Sequence, residues 1–199
     1  MHASIPDPSL QEHPGLRAPL AFAALVLCGF GLLYSLAGTA LDGWLFPARA
    51  TGSLLVRDGQ AVGSALLAQP ASDPRYFQPR PSAAGYDPMV ASGSNLARSN
   101  PVLQARIAGT RLQIARRDGV AAAAVPAELV TASGSGLDPD ISPAGAHAQV
   151  ARVARARGLD PAVVQALVDA MVEPPQFGLL GQPRVNVLRL NLVLDARSR

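Results

Sequence analysis

The sequence predicts an α+β fold: one N-terminal transmembrane helix followed by a single mixed α+β soluble domain with a long ordered loop. Three observations lead to this prediction. A charge-free apolar segment lies near the N-terminus, two strand-like segments flank a turn dipeptide, and three later segments each open with a capping residue before a proline. The 199 residues, of which 49% are apolar and 16% charged, have room for one domain of ordinary size beside a membrane anchor.

The apolar segment is Ala18–Leu41, in which no residue is charged. As a helix it would be about 36 Å long, against about 30 Å of bilayer hydrocarbon. Trp44 and Phe46 follow its far end, where aromatic side chains favour the membrane interface. The alternative is a cleaved signal peptide with its cleavage site at Gly38–Ala40, but the apolar stretch of such a peptide is shorter, about 7–15 residues. The segment predicts a transmembrane helix over residues 18–41, after a short tail over residues 1–17.

The domain predicted over residues 43–199 begins with two strands. Ser53–Arg57 and Gln60–Leu67 have strand-like composition, and they flank Asp58-Gly59. This dipeptide suits a two-residue hairpin turn, so we expect an antiparallel pair.

A long loop follows, from Gln69 to Asn100, and it is rich in proline and glycine. Loops of this length are uncommon in compact domains and are usually functional or disordered. Three aromatic residues within it favour ordered packing over a free linker: Tyr76, Phe77 and Tyr86.

Three helices are predicted next, beginning at Asn100-Pro101, Ser142-Pro143 and Asp160-Pro161. In each pair the first residue is a good N-cap, and proline is well tolerated at the first helical position. Gly158 is a natural C-terminal cap for the second helix, and the third should end before Pro174.

Two further segments have strand character. Glu128–Ser133 predicts a short strand that opens into the glycine-rich turn Gly134–Asp140. Arg184–Leu194 begins with the alternation of a strand and could end as a helical turn.

Composition excludes several kinds of catalytic and binding site. All basic residues are arginines, and without lysine there is no Walker A loop and no Schiff-base chemistry. Cys28 is the only cysteine, which excludes an intrachain disulfide and a cysteine-based zinc site. His147 is the only histidine beyond the tail, and no acidic residue lies three or four positions from it. No aromatic residues alternate with the arginines of the helices, which argues against nucleic acid as a partner. We therefore predict no catalytic residue and no metal site in this chain.

Several ordered motifs resemble the KdpC subunits of Kdp-type potassium-transporting ATPases, and with the N-terminal span they cover nearly the whole chain. Two departures concern local contacts: Ser92-Gly93 stands where the family usually has two glycines, and Arg189 stands where an acidic residue is frequent. The matching motifs are Tyr76-Phe77, Arg80–Ala83, Tyr86-Asp87-Pro88, Gly93–Leu96, Ser99–Pro101, Val130–Asp138, Gly181–Val187 and Leu190–Asp195.

The resemblance implies a non-catalytic accessory subunit of a high-affinity potassium import complex driven by ATP. Its partners would be a channel-like potassium-binding subunit, a P-type ATPase subunit that carries the catalytic residues, and a small membrane subunit. The accessory subunit would assemble and stabilise the complex, and is proposed to raise the ATP affinity of the catalytic subunit as a catalytic chaperone. ATP and K⁺ would be used by the assembled complex, and neither would be bound firmly by this chain. The alternative is a free-standing membrane-anchored enzyme or an extracytoplasmic binding protein.

The resemblance also implies a single-pass protein of the bacterial inner membrane, with a cytoplasmic N-terminus and an extracytoplasmic domain. Charge alone leaves the orientation open, because the tail carries net −1 and the chain beyond Asp42 carries net +5. Long domains cross a membrane largely regardless of their charge.

A nucleotide contact would have to use backbone groups. The weak candidates are Ser133, Gly134, Ser135 and Gly136, because the N–H groups of such a turn can bind an anion. The simpler interpretation is a tight turn that positions Asp138 and the next helix. An extracytoplasmic domain cannot meet cytoplasmic ATP, so we expect any effect on ATP use to be indirect.

Partner docking is expected at two places. Gly31, Ser35 and Thr39 recur every four residues along the membrane helix, and small residues allow close approach of another helix. The second place is the long loop, unless that loop only covers the core of its own domain. Its candidate residues are Tyr76, Phe77, Arg80, Tyr86, Ser94, Asn95 and Asn100.

Overall fold

The structure, a computed structural model, describes residues 15–197. The chain divides into two compact units, the first ending at Thr51 and the second beginning at Gly52. Most of the predicted tail over residues 1–17 lies outside the described residues.

The first unit contains a long helix, α1, over Arg17–Leu45. It is α-helical over Arg17–Val26 and Ser35–Leu45 and π-helical over Leu27–Tyr34. Its 29 residues and a mean hydropathy of 2.2 are sufficient to cross a membrane, which confirms the predicted apolar helix and extends it at both ends. A single turn of helix, α2, follows over Pro47–Ala50.

The second unit opens with the predicted hairpin. Strand β1, Leu54–Arg57, pairs antiparallel with β2, Gln60–Ser64. Asp58 and Gly59 have φ of 51° and 80°, as a type I′ turn requires. The second strand ends before Leu67 because the backbone turns there, with Leu67 N donating to Ser64 O.

The three proline-initiated helices are confirmed: α3 over Pro101–Asp118, α4 over Pro143–Arg157 and α5 over Pro161–Ala170. The side chain preceding each proline accepts a hydrogen bond from a backbone N–H of the first turn. The first two helices end at glycines in the left-handed conformation, Gly119 and Gly158.

The predicted strand over Glu128–Ser133 is wrong. Ala127–Leu129 forms a 3₁₀ turn, as do Pro88–Val90 in the long loop and Ala122–Ala124 after α3. The Glu128 carboxylate accepts hydrogen bonds from the N–H and hydroxyl of Ser142, at 3.1 and 2.5 Å. The segment is therefore fixed by the start of α4 and not by a neighbouring strand.

Arg184–Leu194 is mostly helical, so its predicted strand is limited to two residues. Strand β4, Val185–Asn186, pairs antiparallel with β3, Asp140–Ile141, and helix α6 follows directly over Val187–Arg197. Val187, Leu190 and Leu194 are buried on one face of α6. The same residues that alternate as in a strand also follow the helical period, and burial against the core favours the helix.

The core of the second unit lies between helices α4, α5 and α6 and the loops that cover them. Phe77 of the long loop is its largest fully buried side chain. Other fully or nearly fully buried members are Val130, Ile141, Val153, Val164, Val168, Val185, Leu190 and Leu194.

Candidate functional site

Two buried amide side chains hold the start of the long loop against the helices. Asn191 of α6 accepts a hydrogen bond from Phe77 N at 2.8 Å and donates to Phe77 O at 2.9 Å. Gln149 of α4 forms the same pair with Gln78, at 2.9 and 3.1 Å. The amides therefore satisfy the loop backbone as a neighbouring strand would, which removes the cost of burying unpaired peptide groups.

A buried ion pair completes this arrangement. Arg152 Nε donates to Asp118 Oδ1 at 2.6 Å, and both side chains are almost inaccessible to solvent. The same guanidinium donates to the backbone oxygens of Pro74 and Tyr76 and to the Gln149 amide oxygen. Burial lowers the pKa of Arg152, although the Asp118 carboxylate acts in the opposite direction. We call Asp118, Gln149, Arg152 and Asn191 the loop clamp.

A second polar cluster is centred on Asp195 of α6. Its carboxylate accepts hydrogen bonds from Arg57 at 2.6 Å, Arg157 at 2.7 Å and the Tyr76 hydroxyl at 3.1 Å. The Arg157 guanidinium also lies over the Tyr76 ring, 5.0 Å from its centre. Burial acts to raise the pKa of Asp195, but the hydrogen bonds from Arg157, Arg57 and Tyr76 outweigh it, so its pKa lies below the ordinary value. The cluster joins the hairpin, the long loop, α4 and α6.

Arg80 and Tyr86 fold the next part of the loop onto itself. Arg80 pairs with Asp138 at 3.2 Å, and the Tyr86 hydroxyl donates to the backbone oxygen of Arg80 at 3.0 Å. The Ser82 hydroxyl accepts from Tyr86 N, which supports Tyr86 in its left-handed conformation at φ 63°. Burial raises the pKa of Tyr86. Both side chains are half-buried, so part of each is open to solvent.

The glycine-rich turn packs directly on this loop. Ser133 N donates to Pro81 O at 3.1 Å, and a Cβ placed on Gly136 would lie 2.7 Å from Ser92 O. Gly136 also has φ of 72°. Ser133 and Gly136 are buried, whereas Gly134 and Ser135 are exposed. Close packing and backbone conformation account for the glycine at position 136 without a ligand.

The remaining loop candidates lie near the start of α3. Asn95 is exposed and left-handed, with φ of 49°, and Ser94 is half-buried. Asn100 caps α3 by accepting a hydrogen bond from Val102 N at 2.9 Å. Phe77 requires a correction: its side chain is fully buried, so it belongs to the core of its own domain and offers no docking contact.

The three small residues of α1, Gly31, Ser35 and Thr39, are exposed in their unit. Gly31 lies in the π-helical part, and a Cβ placed on it would have no neighbour within 4 Å. Ser35 and Thr39 lie in the α-helical part that follows, where Thr39 Oγ1 donates to Ser35 O at 2.8 Å. The Ser35 hydroxyl donates to Phe30 O at 3.4 Å, so both hydroxyls are bonded to the backbone of their own helix.

Sequence reasoning did not identify an apolar projection between α5 and β4. The segment Gln176–Leu180, which we call the apolar tip, carries Phe177, Leu179 and Leu180, all strongly exposed. Prolines and glycines on both sides of these apolar residues were the available signal, because they are typical of a rigid turn.

Each carboxylate of the described second unit has a structural partner. Asp140 and Glu173 pair with Arg184, and the exposed Asp169 lies 2.7 Å from His147 Nε2. Asp87 and Asp160 accept hydrogen bonds from backbone N–H groups of the helical turns that follow them. Asp58 and Asp73 each lie beside an arginine, and Glu128 is bonded to Ser142. The remaining carboxylates, those of Asp118, Asp138 and Asp195, have the partners described above.

Comparisons with known proteins identify the family of this chain. Residues 16–196 match the family model described as KdpC, the c chain of K⁺-transporting ATPase. A potassium-transporting ATPase KdpC subunit from Xanthomonas oryzae pv. oryzae is 62% identical over 98% of this chain and 92% of its own length. A KdpC subunit from Shewanella putrefaciens is 54% identical over 91% of this chain and 89% of its own length. A KdpC subunit from Gemmatimonas aurantiaca is 52% identical over 92% of this chain and 93% of its own length. The chain therefore belongs to the KdpC family of potassium-transporting ATPase subunits.

Proposed function

We propose that this chain is a non-catalytic accessory subunit of a high-affinity potassium import complex driven by ATP hydrolysis. The observation that carries the proposal is the structural use of its carboxylates: those of the described second unit are engaged in ion pairs, helix caps and the loop clamp. Catalytic acids and bases usually lie in a cleft with their proton-transfer atoms open to a substrate. The side chains of this domain instead hold a long loop in one conformation, which suits docking.

The partners that we propose are a channel-like potassium-binding subunit, a P-type ATPase catalytic subunit and a small membrane subunit. The membrane helix would pack on partner helices through Gly31, Ser35 and Thr39, whose side chains permit close approach. The long loop would dock through its exposed or half-exposed groups. Those groups are Tyr76, Arg80, Tyr86, Ser94, Asn95 and Asn100. The loop clamp supports this role because a surface ordered before binding loses little conformational entropy on docking.

We place the chain in the bacterial inner membrane, with its N-terminus in the cytoplasm and its domain outside. Helix α1 supports the anchor by its length and composition. The orientation is tested by fusing a reporter that is active only outside the cytoplasm after Arg199. The proposal expects activity, and a stable but inactive fusion would reverse the orientation.

The effect on ATP use is proposed to be indirect, through stabilisation of the assembled complex. The packing of the glycine-rich turn supports this: Ser133 and Gly136 lie against the long loop, and Ser133 N already donates to Pro81 O. A nucleotide contact at the glycine-rich turn would have to use the exposed Gly134 and Ser135 alone.

The experiment compares membranes from the native bacterium with and without this chain. Removing the chain should abolish potassium-stimulated ATP hydrolysis, and both the wild type and Ser135→Asp should restore it with the same KM for ATP. Unchanged hydrolysis without the chain would refute the accessory role. A raised KM for Ser135→Asp, in a complex that still assembles, would instead indicate a direct nucleotide contact, because the added carboxylate would repel a phosphate bound at this exposed turn.

A further inference from the structure

The apolar tip is a fixed structure and not a loose loop. Glu173 and Arg184 exchange two backbone hydrogen bonds, at 2.8 and 3.0 Å, and close the stem. Gln176 and Leu180 do the same at 2.8 and 2.9 Å. Because Phe177, Gly178 and Leu179 connect these bonded positions, their backbone has little freedom.

This rigid turn presents its large side chains to water. Phe177 is 84% exposed, Leu179 86% and Leu180 60%. No charged residue occurs from Pro174 to Pro183. Single exposed leucines are ordinary on protein surfaces, but three adjacent large apolar side chains on one projection indicate a binding site.

Phe177 is also held in an unfavourable backbone conformation. Its φ of 56° lies in the left-handed region, which a bulky residue rarely adopts. Glycine would adopt this conformation without strain. The exposed aromatic ring contributes nothing to the core of its own domain. The free energy spent on this strained backbone conformation therefore points to a role of Phe177 in binding.

We propose that the apolar tip inserts into an uncharged apolar pocket on another subunit of the complex. The inference rests on the proposed function, because that function supplies the partner. The lack of charge over ten residues requires a pocket without charged groups at its base, since a charge there would be desolvated without a partner. The fixed shape of the tip suits a pocket of complementary shape, as found for the anchor residues of protein interfaces.

The bilayer is the less suitable occupant. Loops and helices that bind membrane surfaces combine apolar side chains with free lysine or arginine. The two arginines near the stem are already paired: Arg184 lies 2.9 Å from Glu173 and 3.2 Å from Asp140, and Arg189 lies 3.6 Å from Glu173. Neither therefore carries an unpaired positive charge for lipid headgroups.

The first test measures how tightly the full chain stays in the detergent-solubilised complex after dilution. Leu180→Ser should weaken retention about tenfold, the effect of losing one buried leucine side chain. Leu66→Ser is the matched control, because Leu66 is also 60% exposed but lies beyond β2. Phe177→Gly should weaken retention likewise while leaving the melting temperature of the chain unchanged or higher, since it removes strain.

Equal retention of wild type, Leu180→Ser and Phe177→Gly would overturn the inference and leave the proposed function standing. If the wild-type chain is itself not retained, the proposed function fails and this inference fails with it.

The second test places an environment-sensitive fluorophore at the tip, using Leu179→Cys with Cys28→Ala so that one thiol is labelled. In phosphatidylglycerol–phosphatidylethanolamine vesicles containing only this chain, we expect emission typical of water. A blue shift should occur only when the other subunits are reconstituted with it. A blue shift already present in lipid alone would identify the bilayer as the occupant and overturn the proposal.

Discussion

Replacing Arg152 by methionine should strongly destabilise the domain. The side chain is buried on α4, and its loss would leave the buried Asp118 carboxylate with Arg117 as its remaining ionic partner among the described residues, 2.7 Å away. Breaking a buried pair typically costs about 3–5 kcal/mol. Because Arg117 remains, we expect the lower end of that range, about 3 kcal/mol, even though the backbone oxygens of Pro74 and Tyr76 also lose a donor.

The measurement is urea unfolding of the full chain in mild detergent, followed by circular dichroism. Arg155→Met is the control, since Arg155 is an exposed arginine on the same helix, and its substitution should change the free energy of unfolding by less than about 0.5 kcal/mol. Combining Arg152→Met with Asp118→Leu should cost clearly less than the two single losses added together, because no buried charge is then left unpaired. The reasoning is refuted if Arg152→Met unfolds like Arg155→Met, or if the double variant is fully additive.

Three further predictions concern the core, the Asp195 cluster and helix α1. Phe77→Ala should lower the free energy of unfolding by about 3–5 kcal/mol in the same urea assay, because the ring is fully buried; a domain of normal stability would return Phe77 to the docking surface. Asp195→Asn should make the free energy of unfolding less sensitive to acid. Because the pKa of Asp195 is lower in the folded state than its unfolded value of about 3.9, the ionised carboxylate stabilises the folded state above that pH. This stabilisation is lost as the pH falls through the lowered pKa. Urea midpoints at pH 6 and pH 3 check this, and an equal loss in both proteins would contradict it. Ser35→Leu should reduce co-purification with the partner subunits while Ala37→Leu does not, and unchanged assembly of both would remove the small-residue contact.

Local signals in the sequence were sufficient for much of the fold. The capping residue and proline at Asn100-Pro101, Ser142-Pro143 and Asp160-Pro161 each satisfy helix-end N–H groups within a few residues, so no distant contact is needed to predict the start. The Asp58-Gly59 turn is equally local, since both positions must adopt positive φ. The apolar helix follows from composition alone.

The errors occur where distant contacts decide the local structure. Glu128–Ser133 has the composition of a strand, but Glu128 is used to bind Ser142 and Ser133 N is bonded to Pro81. Val187–Arg197 fits both periods, and only its packing against the core selects the helix.

The loop clamp shows the same limit for the candidate docking site. Gln149, Arg152 and Asn191 lie more than 70 residues from the loop backbone that they bind. No spacing in the sequence signals such a contact. The motifs identified the loop, but the groups that hold it rigid were found only from the structure.

The central claim, that this chain works as an accessory subunit, is tested most directly by isolating it from its own bacterium. The full chain would carry an affinity tag after Arg199, be extracted in mild detergent, and have its co-purifying proteins identified by mass spectrometry. The account predicts near-stoichiometric amounts of a channel-like potassium-binding protein and a P-type ATPase. A folded chain that is recovered alone, and that turns over a substrate or binds a small ligand without partners, would contradict it.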